Sequence, residues 1–191
     1  MSHEIFDTCT FTNEDFSGRA LGPAEYIECT FRGCQFVETD LRQVEFVDCT
    51  FVGCTWSAVK LKEAALKPVR FEQCALMGVH FSEAGDFLFE VAFVKCTLDY
   101  SIFWGKKLKK TVFTGCSLKN VDFEGTDLSL AVFDDCDLTN AHFERTNLTK
   151  ADLRTARHYT IDPENNTLTK AQFNLVGVPG LLRKYGIVIQ A

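Results

Sequence analysis

From residue 88 to residue 153 every fifth position is leucine or phenylalanine: Leu88, Phe93, Leu98, Phe103, Leu108, Phe113, Leu118, Phe123, Leu128, Phe133, Leu138, Phe143, Leu148 and Leu153. A step of five suits neither regular element, because it walks around a helix and swaps faces along a strand. The chain must instead turn a corner every five residues, so that each large side chain points into one common interior. Two positions before each centre the residue is small or of medium size, and Cys96, Cys116 and Cys136 recur there at steps of twenty. Four fives then close one coil, and the Leu/Phe alternation sets phenylalanines on two opposite sides. The pattern predicts an all-β, four-sided solenoid with like residues stacked on successive coils.

An earlier register runs through Phe6, Phe11, Phe16, Leu21, Tyr26, Phe31, Phe36, Leu41, Phe46, Phe51, Trp56, Leu61, Leu66, Phe71, Leu76 and Phe81. Tyr26, Trp56 and Leu66 are expected inside with the rest. The first coil is the least regular, with Glu4, Glu14 and Arg19 in slots that are small elsewhere, as an open end tolerates. Seven residues separate Phe81 from Leu88, so two are inserted across 82–87. Glu83, Gly85 and Asp86 mark this insertion, and Gly85 can take the positive φ that a bulge needs. It is either a bend joining two solenoid halves or a neutral insertion on a corner.

The solenoid is expected to span 1–155 and a C-terminal cap or dimerisation segment 156–191. The repeat lapses at 154–158 and 161–166 reads as a loop, yet Phe173 lies twenty residues after Leu153 and marks a last strand on the final coil. Residues 179–186 read as a short helix stopped by Gly186, with a strand-like tail at 187–189. Leu181, Leu182, Tyr185, Ile187 and Ile189 place surplus apolar surface at one end, where two copies can bury each other about a two-fold axis.

Eighteen phenylalanines against two methionines and two tryptophans is the skew that many similar interior slots require. All nine cysteines lie two residues before a centre, in columns Cys9, Cys29 and Cys49; Cys34, Cys54 and Cys74; and Cys96, Cys116 and Cys136. Each reads as a small buried hydrophobe with a free thiol. A net charge of −6 argues against a polyanion as the main partner, and no direct nucleic-acid binding is expected. There is no apolar run of membrane-span length, and Met1-Ser2-His3-Glu4 does not open a signal peptide, so a cytoplasmic location is expected.

The four histidines, His3, His80, His142 and His158, show no metal-ligand spacing, and neither a phosphate loop nor a nucleophile elbow appears. No catalytic, metal or cofactor site is expected. Charge placement says more. Residues 1–59 hold ten acidic and three basic residues, 60–120 hold six and ten, and 121–191 hold ten and seven. Glu25 with Glu45, and Glu28 with Asp48, recur at twenty and stack on one face. Like charges in adjacent rungs cost stability, which weighs for a functional acidic face against an ordinary acidic surface. Lys106, Lys107, Lys109 and Lys110 form a basic corner, read as a solvated face.

The unit small-x-(Leu/Phe)-x-x, as in Ala131-Val132-Phe133-Asp134-Asp135 and Ala151-Asp152-Leu153-Arg154-Thr155, resembles that of the pentapeptide-repeat family across 6–153. The resemblance implies a right-handed quadrilateral β-helix. The two registers and the tail look like the Qnr-type branch and the topoisomerase-poison immunity proteins. That likeness implies a DNA-mimic-like homodimer, joined through its C-terminal segment, that engages DNA gyrase or topoisomerase IV and protects it from quinolones or a peptide toxin. The alternative is a scaffold solenoid that binds another protein.

Overall fold

The computed structural model describes residues 4–189. Over them the chain winds as a right-handed, four-sided parallel β-solenoid of about eight turns, with one short C-terminal helix, Pro179–Leu182. Short strands stack in parallel along one side, where Phe11, Phe31, Phe51, Phe71, Phe93, Phe113 and Phe133 pair rung to rung. The ladder continues through Asp152 to Gln172, and Leu153 pairs with Phe173.

Four faces can be named by their inward centres. Face 1 carries Phe6, Tyr26, Phe46 and Leu66, then Leu108, Leu128, Leu148 and Leu168. Face 2 is the phenylalanine ladder. Face 3 carries Phe16, Phe36, Trp56, Leu76, Leu98, Leu118 and Leu138. Face 4 carries Leu21, Leu41, Leu61, Phe81, Phe103, Phe123 and Phe143.

Ring packing holds the coils in register. On face 2 successive rings stack at 4.9, 4.6, 5.1, 5.4, 5.3 and 5.0 Å from Phe11 to Phe133. In the upper coils they meet edge-to-face with rings on faces 1 and 3, such as Phe46 and Trp56. From Phe81 onward the edge-to-face partner lies on face 4. Offset or perpendicular rings favour each other beyond the area they bury. Trp56 and Leu66 are fully inside and Tyr26 is buried, as the register requires. The Trp56 indole N–H has no hydrogen-bond partner there.

The small slots do more than fit. Buried thiols donate to the carbonyl of a centre one coil earlier: Cys49 to Tyr26, Cys54 to Phe31, Cys116 to Phe93 and Cys136 to Phe113, at 3.2–3.5 Å. Thr39, Thr126 and Thr146 hydroxyls do the same for Phe16, Phe103 and Phe123. The slot therefore admits a small donor, although Val and Ala fill it as often, as at Val44, Ala64 and Ala131. All nine cysteines are free. Burial pushes the Cys29 and Cys34 thiols up, and that of Cys49 to about 12, which keeps them protonated and unreactive at neutral pH.

Several sequence expectations need correction. Leu88 is not an interior centre: it is 63 % exposed and sits at a left-handed corner (φ 56°). Gly85 does not take the positive φ; Leu88 takes it instead. The two extra residues lengthen a single coil, so Ala75 still pairs with Thr97 and His80 with Ile102. The cysteine columns consequently number two rather than three, because Cys74 and Cys96 stack across the long coil and join Cys34 through Cys136 in one line. Rungs continue past 155, to Thr167 and to Phe173, where a last strand was expected. At the lapse, Ala156 fills a small slot and Tyr159 turns inward one residue late, while His158 takes the left-handed corner.

Replacing Phe113 with Ala is expected to cost about 3–5 kcal/mol in urea unfolding, the range for a buried phenylalanine that leaves a cavity. A loss under about 1 kcal/mol would contradict the stacking.

Candidate interaction surface

Stacked side chains fill the interior, so the positions beside each centre form the outward surface. On face 1 the paired strands Ala24–Ile27 and Val44–Val52 set Glu25 beside Glu45, and they leave Glu28 and Asp48 exposed at successive left-handed corners. The expected carboxylate stack therefore exists. It is short: the next rung places Lys67 beside it, with Nζ 2.5 Å from Glu45 Oε2.

Below the long coil the same face turns basic. Lys107, Lys109 and Lys110 lie on one rung, followed by Lys150 and Lys170, and none makes an ion pair among the described residues. Asp127 lies among them, held by Asn147 Nδ2 at 2.9 Å and the Ser129 N–H at 3.0 Å. Other faces carry local ion pairs, as in Arg42 with Asp40, Arg154 with Asp152, Arg145 with Glu124 and Arg157 with Asp135. On Asp137 burial opposes ionisation, yet hydrogen bonds from Thr139, His158 and Lys119 outweigh it and hold the carboxyl well below the usual range.

The insertion sits on face 1 between these two halves. Glu83 closes a short turn, Phe81–Glu83, 3.8 Å from His80. The Gly85 N–H donates to Ala64 O at 2.8 Å. Asp86 points outward and pairs with Lys106 at 2.7 Å. Lys106 was expected in a solvated corner; it is instead only 2 % exposed, because it occupies the small slot before Leu108. On this face of the long coil the half-buried Phe89 packs against the core in place of a fully buried centre. The Lys106 ammonium group meets Ala84 O and Asp86, and lies 4.9 Å from the Phe89 ring. Phe87, 74 % exposed, and Leu88 project from the loop so fixed. A lysine in a small slot and the run Phe87-Leu88-Phe89 were the sequence signals for this.

At the far end the tail folds back as a cap. Leu181 packs on the core, Leu182 is half-buried, and the Tyr185 hydroxyl donates to Glu164 at 2.7 Å. Lys184 bridges Asp162 and Glu164 at 2.6 and 2.5 Å. Gly177 and Gly180 are required by close approach, since an added Cβ would lie 1.9 Å from the Tyr159 hydroxyl and 2.2 Å from its carbonyl oxygen. Ile187 and Ile189 stay exposed, as do Leu175, Val176 and Val188. Between tail and last coil lies an open groove of about 900 Å³ edged by Arg157, His158 and Arg183. On face 4, Asp122, Glu124 and His142 bring possible metal-ligand atoms within 4.8 Å, but Arg145 already pairs with Glu124.

A pentapeptide repeat region profile matches residues 24–103 and 86–173. The chain belongs to the pentapeptide-repeat family. No curated protein matches it. Among solved structures it is similar to HetL, a pentapeptide-repeat protein involved in heterocyst differentiation regulation in the cyanobacterium Nostoc sp. strain PCC 7120, with 20% identity over 92% of this chain and 88% of that one and a TM-score of 0.75. A trypsin-treated form of QnrB1, a plasmid-mediated fluoroquinolone resistance protein, gives 22% identity over 98% and 92% with a TM-score of 0.41. At 20% identity the likeness to HetL is one of fold. Among the described residues no helix is long and apolar enough to cross a membrane.

Replacing Lys106 with Ala is expected to cost about 2–4 kcal/mol, as a buried stem and its hydrogen bonds are lost. Lys106→Met, which keeps the stem, should lose less than half of that in the same denaturation experiment. Equal losses would contradict the packing role.

Proposed function

We propose that this pentapeptide-repeat rod is a non-enzymatic, cytoplasmic binding protein that presents its charged faces to a protein partner. The observation that carries the reading is the carboxylate stack of Glu25, Glu28, Glu45 and Asp48, ordered by parallel rungs. Held at about 4.8 Å spacing on a rigid ladder, these groups suit a basic protein surface and cost little ordering entropy on binding. The finer reading is a type II topoisomerase, DNA gyrase or topoisomerase IV, protected from quinolones or a peptide toxin. A scaffold role with another protein is the second reading, and the shortness of the acidic strip, which ends at Lys67, favours it over duplex mimicry. A homodimer through Leu181, Leu182, Tyr185, Ile187 and Ile189 has less free surface than expected, because the first three already make contacts within the chain.

The test is gyrase supercoiling with ciprofloxacin or a gyrase-poisoning peptide and rising protein. Rescue that is lost in a Glu28→Lys, Asp48→Lys double variant is expected from the topoisomerase reading. Neither rescue nor inhibition at micromolar protein would remove it and leave the scaffold reading.

A further inference from the structure

We infer that face 1 is self-complementary and docks side by side onto a second, antiparallel copy of this chain. The inference deepens the reading above by naming an occupant for the same acidic strip. It rests on that reading only in treating the outward faces as the binding surface.

The carboxylates Asp7, Glu25, Glu28, Glu45 and Asp48 lie above the insertion, and Lys107, Lys109, Lys110, Lys150 and Lys170 lie below it on the same face. Glu28 and Asp48 make no ion pair among the described residues, and neither do these lysines. Three rungs separate Asp48 from Lys110, roughly 14 Å, which exceeds the ~8 Å Debye length at physiological salt, so the two halves barely neutralise each other within one chain. A polyanion would be repelled by the upper half and a polycation by the lower. A partner of matching but reversed polarity satisfies both, and a two-fold rotation of this chain supplies it. With the axis near the insertion, Asp48 of one copy meets Lys107, Lys109 and Lys110 of the other, while Glu45 keeps its pair with Lys67 of its own chain. Phe87 and Leu88, the exposed apolar pair at the middle of the face, then come close to their own symmetry mates. Such an isologous contact closes on itself and does not polymerise. It also covers the acidic strip, so a partner that takes the strip competes with the second copy.

The experiment is sedimentation velocity of the full-length protein at tens of micromolar, in low salt and in ~1 M salt, where the Debye length falls to ~3 Å. The expected result is a dimer in low salt that weakens at least tenfold in high salt. Lys109→Glu with Lys110→Glu should be monomeric in low salt, as should Glu28→Lys with Asp48→Lys. An equimolar mixture of the two variants should regain the dimer, since each supplies what the other lacks. All four positions are exposed, and circular dichroism checks that both variants fold. A wild-type monomer in low salt would overturn the inference. So would a dimer that survives both charge reversals and is lost with Val188→Asp, which places the contact at the tail. Because no partner is present, failure here leaves the gyrase assay standing.

Discussion

The left-handed corner is the constraint on which the rest of the molecule depends. Two residues after almost every centre the backbone takes φ between about 50° and 68°, at Glu28, Asp48, Lys110 and Asn140 as much as at Gly33 or Gly125. For a residue with a side chain this costs roughly 1–2 kcal/mol. Burial of the leucine or phenylalanine that the corner turns inward returns about 1.5–3 kcal/mol, so a corner stands only when its centre is filled. Rings stacked along face 2 and small donors that reach the preceding coil's carbonyls follow from that bargain. The long coil tests it. Leu88 turns a corner while its own side chain stays exposed, and Phe89 packs against the core beside the buried Lys106.

Period and interior were legible in the chain because one five-residue rule governs both. The positions of Phe113, Trp56 and Leu66 followed directly, and so did the carboxylate pairing of Glu25 with Glu45. What escaped was decided by contacts between coils. Two inserted residues look like a break between Phe81 and Leu88, yet the cross-coil bonds of Ala75 with Thr97 restore register and merge two cysteine columns. Glycine bears a positive φ cheaply, so composition points to Gly85, while the structure asks it of Leu88. Residue type alone points to a solvated Lys106, whereas its slot decides its burial.

The same filled interior directs function to the surface. Faces 2 to 4 carry several ion pairs within a rung or two, whereas on face 1 Asp48 and the cluster Lys107, Lys109 and Lys110 stay unpaired on either side of an exposed apolar loop. Rigid rungs maintain that separation without further cost, which a flexible surface could not do. Binding by a rod of this kind therefore depends on which charges share a face, and the repeat period sets that before any partner arrives.

One uninterrupted interior runs through the long coil, with Cys34, Cys54, Cys74, Cys96, Cys116 and Cys136 in a single buried line. The most direct measurement is mass-spectrometric mapping of thiol alkylation in the native protein. Cys9, the one cysteine that is not fully buried, should label first and the other eight should stay protected until the protein unfolds. Early labelling of Cys74 or Cys96 would show that the interior is broken at the insertion, and would contradict the account.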